Sequence, residues 1–175
     1  MSAPKRVVIL GTSSSGKTTL AKKIAAEQGI QRIELDQLYW QPNWVPTPMP
    51  EFLKKIEKEL NSYESWVICG NYNVAKNLTL PRDTHIIWLN YPLRINLWRG
   101  FKRSVNRIVR NESCFEGCKE SFALTFLSKK SILLWIWQTH KSRRAEFSKL
   151  LTKENFRQAA ITIIKNENDL RQLKL

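Results

Sequence analysis

A short apolar run that leads into a glycine-rich loop constrains the fold of this chain more than any other feature of its sequence. Residues 7–20 read VVILGTSSSGKTTL, and the stretch from Gly11 to Thr18 matches the pattern G-x-x-x-x-G-K-[ST]. Apolar residues then recur at helical spacing from Leu20 to Ala25. A buried strand, a glycine loop and the start of a helix in this order are typical of a phosphate-binding P-loop, so we predict an α/β P-loop fold.

The residue types of this loop suit the binding of a nucleoside triphosphate. Glycines adopt backbone conformations that are closed to residues with a Cβ atom, so successive N–H groups can point into one concavity at the positive end of the helix. We expect Lys17 to contact the β- and γ-phosphates of ATP during transfer, and Thr18 to bind Mg²⁺ through its hydroxyl. The predicted nucleotide contacts in the loop are Gly11, Thr12, Ser13, Ser14, Ser15, Gly16, Lys17, Thr18 and Thr19.

Chain length and cysteine content limit the possible domain organisation and cellular location of the protein. A sequence of 175 residues with 42% hydrophobic content predicts a single domain, residues 1–175, large enough for a sheet covered by helices on both faces. The longest apolar run, ILLWIW at 132–137, is much shorter than the roughly 20 residues of a membrane span. Three cysteines and a short apolar stretch before the P-loop favour a cytoplasmic protein without a membrane partner.

Basic residues are concentrated in the second half of the chain, and the formal net charge is +14. Residues 1–90 contain 11 basic and 8 acidic side chains, whereas residues 91–175 contain 18 and 7. Such a bias suits polyanionic partners, which include both nucleotides and nucleic acids. The charge does not choose between these two classes.

Strand-like and helix-like segments alternate along the chain. Besides the strand before the P-loop, the sequence predicts strands at residues 30–36, 65–72, 84–92 and 159–166. A helix follows the P-loop, a short one ends the chain, and others are predicted at residues 52–63, 93–110 and 122–151. This alternation indicates a parallel five-stranded sheet with right-handed crossovers.

Polar residues follow the predicted strands, at the edge where α/β sheets bind their ligands. Asp36 is the only carboxylate among them. We expect Asp36 to hold an acceptor hydroxyl or a magnesium-bound water, because phosphoryl transfer needs an oriented nucleophile. The alternative is that Asp36 only caps a turn or a helix. The predicted acceptor contacts are Asp36, Tyr39, Trp40, Gly70, Asn71, Tyr72 and Arg107.

The predicted loop at residues 37–50 is rich in proline and aromatic side chains, with Tyr39, Trp40 and Trp44 within six positions. Rings of this size must be buried somewhere, and covering the core is one explanation. The other is that flat rings beside the site stack on a base or another planar acceptor, with hydrogen bonds from Gln41 and Asn43. The sequence leaves both explanations open.

A stripe of arginines marks one side of the predicted helix at residues 93–110. At 100° per residue, four arginines fall within an arc of roughly 80° and four apolar residues fall together on the opposite side. No acidic residue interrupts residues 94–110, so we expect phosphate contacts, and catalytic roles, for the first two arginines rather than a solvated charged face. The arginines are Arg99, Arg103, Arg107 and Arg110, and the apolar residues are Leu97, Phe101, Val105 and Ile108.

Six features extend over nearly the whole chain: GTSSSGKTT, LDQLYWQPNW, WVICGNY, LPRDTHIIWLNYP, the R-x-x-x-R-x-x-x-R run that begins at Arg99, and KSILLWIWQTHKSRR. Together they resemble the adenylate-kinase-related P-loop proteins often labelled DNA topology modulation (FlaR-like) proteins. The resemblance implies a nucleoside-monophosphate-kinase-like fold with ATP in the P-loop and an acceptor region after the second strand. It also implies an arginine-bearing lid, at roughly residues 100–125.

Two positions depart from that family, in which the third strand usually ends DGNY and the fourth ends WLD-x-P. This chain has Cys69 and Asn90 at those places, so a carboxylate associated with Mg²⁺ is missing twice. Either Asp36 supports the metal alone, or catalysis is weakened and the protein binds nucleotide more than it turns it over. No N-K-x-D motif for guanine occurs, so ATP is favoured.

The leading functional interpretation is a phosphotransferase that moves the γ-phosphoryl group of ATP·Mg²⁺ to an unidentified small acceptor. A nucleotide-binding regulator or slow ATPase is the second interpretation. A nucleic-acid-associated protein that uses the basic second half is the third.

Overall fold

The structure of the chain, a computed structural model, describes residues 4–110, 112–115, 118–119, 131–151 and 159–173. The strands are β1 (Arg6–Gly11), β2 (Gln31–Glu34), β3 (Trp40–Gln41), β4 (Val45–Pro46), β5 (Trp66–Cys69), β6 (His85–Leu89), β7 (Ser113–Phe115), β8 (Cys118–Lys119) and β9 (Ala160–Ile164). The helices are α1 (Lys17–Gln28), α2 (Leu35–Tyr39), α3 (Met49–Ser62), α4 (Asn73–Thr79), α5 (Leu93–Val109), α6 (Ile132–Leu151) and α7 (Glu167–Arg171).

Five of the described strands form a sheet in the order β2-β5-β1-β6-β9, and every pairing in it is parallel. This confirms the predicted α/β P-loop fold and the five predicted strands. β1 lies in the centre between β5 and β6. The carboxyl ends of these three strands therefore meet at one edge of the sheet, directly beside the P-loop.

Alternating side chains of the central strand enter two cores, one on each face of the sheet. Val8 and Leu10 pack with the apolar side of α3 and with Phe147 of α6. Val7 and Ile9 pack with the buried side chains of α1. Helices thus cover both faces, and the apolar strands fix the end of β1 where the P-loop begins. None of the described helices has the length and hydropathy needed to cross a membrane.

Several local predictions need correction. Residues 37–50 are not a plain loop, because α2 extends to Tyr39 and β3 pairs with β4 in a short antiparallel hairpin. β2 ends at Glu34, so Asp36 lies within α2 and not at the end of a strand. Residues 122–130 of the helix predicted at 122–151, and residues 111, 116–117 and 120–125 of the predicted lid at 100–125, lie outside the described residues. The division into one domain stays a prediction.

The buried face of α5 differs from the apolar face that its sequence predicts. Its fully buried side chains are Asn96, Gly100 and Ser104, whereas Phe101 is 42% exposed. Close packing explains the difference: a Cβ atom added at Gly100 would lie 2.7 Å from the Ile136 side chain of α6. Only small or hydrogen-bonded residues fit where α5 lies against α6 and the P-loop. Of the predicted apolar stripe, Leu97, Val105 and Ile108 are therefore only partly buried, and Phe101 is exposed.

Candidate active site

The P-loop joins β1 to α1 and has the backbone geometry of an anion-binding loop. Gly16 has left-handed dihedral angles, φ 96° and ψ 15°, which a residue with a Cβ atom adopts only with strain. The hydroxyl oxygens of Ser14 and Ser15 are buried without a hydrogen-bond partner among the described residues. Thr18 and Thr19 are exposed at the start of α1. Orphaned buried hydroxyls and an open helix N terminus fit a triphosphate in the loop.

Lys17 folds back over the P-loop. Its Nζ donates hydrogen bonds of 2.9 Å to the carbonyl oxygens of Gly11 and Thr12. Burial lowers the pKa of Lys17 to about 8; the nearby Asp36 opposes this shift, while the positive charges of Arg143 and Arg103 add to it. The ammonium group therefore lies among two further cations and one carboxylate. Such an excess of positive charge favours the binding of a polyanion.

The lowered pKa of Lys17 predicts a pH dependence of ATP binding. Below pH 8 the ammonium is charged and affinity is flat, whereas above pH 8 it loses its proton in the free protein, and the phosphates of ATP restore that proton on binding. ATP affinity should therefore fall by up to about tenfold per pH unit above pH 8. Calorimetry at pH 9, in two buffers of different ionisation enthalpy, should show uptake of about one proton per ATP.

The control for this measurement is Lys17→Met, in which the proton uptake at pH 9 should disappear. An equal proton uptake in the Met variant would mean that another group carries the linkage. The absence of uptake in the wild-type protein would mean that the phosphates do not reach Lys17.

Asp36 lies beside the P-loop and is held in place by Tyr72. The Tyr72 hydroxyl donates a 2.7 Å hydrogen bond to Oδ1 of Asp36, and burial together with the Asp36 charge raises the pKa of Tyr72. The loop of Tyr72 approaches α2 closely because Gly70 has φ 139°, and an added Cβ atom there would lie 2.5 Å from the Leu35 Cβ. One carboxylate oxygen is thus fixed by Tyr72, and Oδ2 is left to meet a ligand.

Asn71 connects the loop that carries Tyr72 to the P-loop. Its Nδ2 donates a 2.6 Å hydrogen bond to the carbonyl oxygen of Gly11, the same oxygen that accepts from Lys17. Arg143 of α6 donates from Nη1 to the Asn71 carbonyl oxygen over 3.2 Å. Sequence reasoning missed Arg143, because its basic surroundings KSRR carry no pattern that separates a site residue from a solvated one.

Arg99 and Asn96 tie α5 to the P-loop. Arg99 donates from Nη1 to the Ser15 carbonyl oxygen over 3.0 Å, forms an ion pair with Glu167, and lies 4.2 Å from the centre of the Tyr91 ring. Asn96 is fully buried and donates from Nδ2 to Oγ1 of Thr12 over 2.6 Å. The structure thus places Arg99 against the P-loop, and its phosphate contact and catalytic role stay predictions. Asn96 was missed because it carries no charge.

Arg103 and Arg107 lie on the same side of α5 as Arg99. A cleft of about 540 Å³ runs along this side and is lined by basic side chains together with Trp98. Arg103 is near enough to Lys17 to lower its pKa. Arg107 lines the cleft farther along the helix, so its predicted contact with the acceptor stays a prediction.

Cys69 and Asn90 occupy the two positions where carboxylates were expected from the family resemblance. Burial raises the pKa of the Cys69 thiol to about 12, with a smaller contribution in the same direction from Glu34, so this group stays neutral. Asn90 is buried, and its backbone N–H donates to the Ile164 carbonyl oxygen over 2.7 Å. Glu34, a buried carboxylate that sequence reasoning missed, lies opposite Cys69 in the register of β2 and β5. Its position two residues before Asp36 is the feature of the sequence that could have identified Glu34.

The aromatic residues after Asp36 fall into two groups. The Tyr39 ring packs 5.1 Å from Phe52 and 4.8 Å from Tyr72, measured between centroids, so Tyr39 covers the core. Trp40 and Trp44 meet edge to face at 5.6 Å in the hairpin, and both are partly buried. The core-covering explanation therefore describes Tyr39, and acceptor contacts of Tyr39 and Trp40 stay predictions.

Comparisons with known proteins agree with this geometry at the level of the fold. No protein-family model and no curated protein matches the sequence. Shikimate kinase from Bacteroides thetaiotaomicron is 19% identical, with a TM-score of 0.52 over 96% of this chain and 95% of that one. Deoxyadenosine kinase from M. mycoides is 15% identical, with a TM-score of 0.51 over 96% of this chain and 100% of that one. The fold is that of the P-loop kinases.

A sugar kinase from a Janibacter species extends the comparison, with 15% identity and a TM-score of 0.51 over 97% of this chain and 91% of that one. At identities this low, the structural similarity establishes the P-loop kinase fold but does not identify the acceptor. They do not confirm the DNA topology modulation family, which stays a resemblance carried by motifs. Among the described residues no three His, Cys, Asp or Glu side chains cluster as a metal site, so the assignment of Mg²⁺ to Thr18 also stays a prediction.

Proposed function

We propose that the protein is a phosphotransferase that moves the γ-phosphoryl group of ATP·Mg²⁺ to a hydroxyl or phosphate oxygen of a small acceptor. The observation that carries the proposal is the environment of Lys17, which lies at the mouth of the P-loop within electrostatic reach of Asp36, Arg103 and Arg143. A site that only stored a nucleotide would not need a carboxylate beside its P-loop lysine. A site that transfers to a hydroxyl uses one, because the incoming hydroxyl must be oriented and deprotonated.

In the proposed reaction, some of these residues bind the phosphoryl group of ATP and others bind the acceptor. Lys17 leaves the Gly11 and Thr12 carbonyls to bind the transferring phosphoryl group, and Arg103 neutralises charge that develops on it. Oδ2 of Asp36 accepts the proton of an acceptor hydroxyl, while Tyr72 holds Oδ1. Thr18, exposed at the helix N terminus, would hold Mg²⁺, which when bound neutralises phosphate charge.

A slow ATPase or nucleotide-binding regulator is the second candidate, and one observation favours it. The neutral Cys69 thiol stands where the related motif has a carboxylate, which leaves less negative charge near Thr18 to hold Mg²⁺. This candidate predicts ATP turnover that no small acceptor stimulates.

A coupled assay of ADP release separates the two candidates. ATP·Mg²⁺ is supplied with a panel of nucleoside monophosphates, nucleosides, sugars and sugar acids. The phosphotransferase predicts that one class raises ADP release well above the rate with ATP alone and yields a phosphorylated product by mass spectrometry. Equal ADP release with every compound would leave the slow ATPase or regulator.

Arg103→Ala should lower kcat by about 10² to 10³-fold and weaken ATP binding much less, because the guanidinium acts mainly on charge that develops during transfer. Steady-state kinetics and calorimetry measure the two effects. The matched control is Arg94→Ala, which removes the same charge from an exposed position of α5 that does not line the cleft. Equal loss of activity in both variants would reduce the role of Arg103 to general attraction of anions.

A further inference from the structure

The basic side chains of the site differ in whether a carboxylate forms an ion pair with them. Arg99 lies on the P-loop side and already has a carboxylate partner in Glu167. Lys76, which reaches α6 from α4, forms an ion pair with Glu146. Arg143 lies one helical turn before Glu146, and among the described residues no carboxylate forms an ion pair with it. Its guanidinium donates a hydrogen bond to the backbone carbonyl oxygen of Asn71.

Arg143 is positioned on the acceptor side of the site. The carbonyl that it contacts belongs to Asn71, which lies between Gly70 and Tyr72, and Tyr72 holds Asp36. Asn71 also donates to Gly11 at the other end of the site. Through these contacts the guanidinium is anchored next to the loop that orients the proposed base, rather than along the arginine side of α5.

The hydrogen-bonding groups of the Arg143 guanidinium limit the class of ligand that it can bind beside Asn71. Arginine carries five N–H donors in a planar fork, and one hydrogen bond to a carbonyl leaves most of them for a ligand. The fork matches the two oxygens of a carboxylate or phosphate. Arg143 also repels the Lys17 ammonium, so an anion bound between them stabilises both charges, whereas a neutral ligand leaves the repulsion in place.

We propose that Arg143 binds an anionic group of the acceptor, a carboxylate or a phosphate, while Asp36 receives the acceptor hydroxyl, so that the substrates are anionic small molecules. The inference rests on the proposed function, because it concerns the acceptor of the same reaction. Among the small acceptors that the P-loop kinase fold leaves possible, the inference selects the anionic ones.

Binding of matched pairs tests this inference directly. The full chain is saturated with a non-hydrolysable ATP analogue and Mg²⁺, and calorimetry compares a nucleoside with its monophosphate and a sugar with its sugar acid. We expect the anionic member of one pair to bind at least about tenfold more tightly than its neutral partner. The first pair tests a phosphate and the second a carboxylate.

Variants of Arg143 then test whether this residue causes the tighter binding of the anionic compound. Arg143→Met should weaken the binding of the anionic member about 10²-fold, leave the binding of its neutral partner and of the ATP analogue unchanged, and raise KM for the acceptor more than it lowers kcat. Arg143→Lys should give an intermediate loss, since it keeps the charge without the fork. Arg144→Met is the matched control, because Arg144 is exposed on the same helix, and thermal melting of each variant confirms that it folds.

The outcomes separate this inference from the proposed function. A neutral compound that binds as tightly as its anionic partner and stimulates ADP release would overturn the inference and keep the phosphotransferase. Loss of affinity for the ATP analogue in Arg143→Met, with acceptor affinity retained, would place Arg143 on the donor side and overturn it as well. If no compound binds and none stimulates ADP release, the proposed function fails and the inference fails with it.

Discussion

Asp36→Asn is expected to lower kcat by about 10² to 10⁴-fold, the range for loss of a general base, and to change ATP affinity far less. The substitution keeps the shape of the side chain and its hydrogen bond with Tyr72 through Oδ1, but the amide cannot accept the proton of the acceptor. It also removes the one carboxylate that offsets the positive charge around Lys17. Steady-state rates with the active acceptor, together with calorimetry for ATP, measure the two effects.

Tyr72→Phe is the companion variant for Asp36→Asn. It removes the donor that fixes Oδ1 but leaves the carboxylate, so we expect a smaller loss of kcat than in Asp36→Asn. Circular dichroism verifies that both variants fold, since Tyr72 also packs against Phe52. Full activity in Asp36→Asn would show that the acceptor is deprotonated elsewhere and that the proposed division of the site is wrong.

Lys17→Met should reduce turnover by about 10² to 10³-fold, the size of effect found when one donor to developing negative charge is removed. Methionine keeps much of the aliphatic stem and removes only the ammonium group that contacts the phosphoryl oxygens. The fold should survive, because burial already disfavours the charged form of Lys17 and its loss removes that cost.

The control for Lys17→Met is Lys22→Met, at an exposed position of the same helix. We expect Lys22→Met to retain wild-type turnover and ATP affinity. Thermal melting of both variants separates an effect on the site from an effect on α1. Unchanged ATP affinity together with unchanged turnover in Lys17→Met would remove Lys17 from the proposed mechanism.

The sequence by itself determined the scaffold and the P-loop, because those features depend on local interactions. The glycine spacing from Gly11 to Gly16 requires a loop with left-handed backbone at its end, and the structure has φ 96° at Gly16. Apolar strands buried on both faces predict a parallel sheet whatever the details of its packing. The five strands and the start of α1 follow from such patterns, and the fold prediction was confirmed.

The tertiary structure decided how residues distant in sequence meet. The face of α5 that is buried depends on the close approach at Gly100, which hydrophobic periodicity does not encode. Arg143 meets Asn71 across 72 positions, and Asn96 meets Thr12 across 84. Such contacts depend on the order β2-β5-β1-β6-β9 and on how the helices pack over that sheet. A lone arginine or asparagine on a helix carries no local signal of its partner, because hydrogen bonds and charge pairing of this kind arise only when the chain is folded.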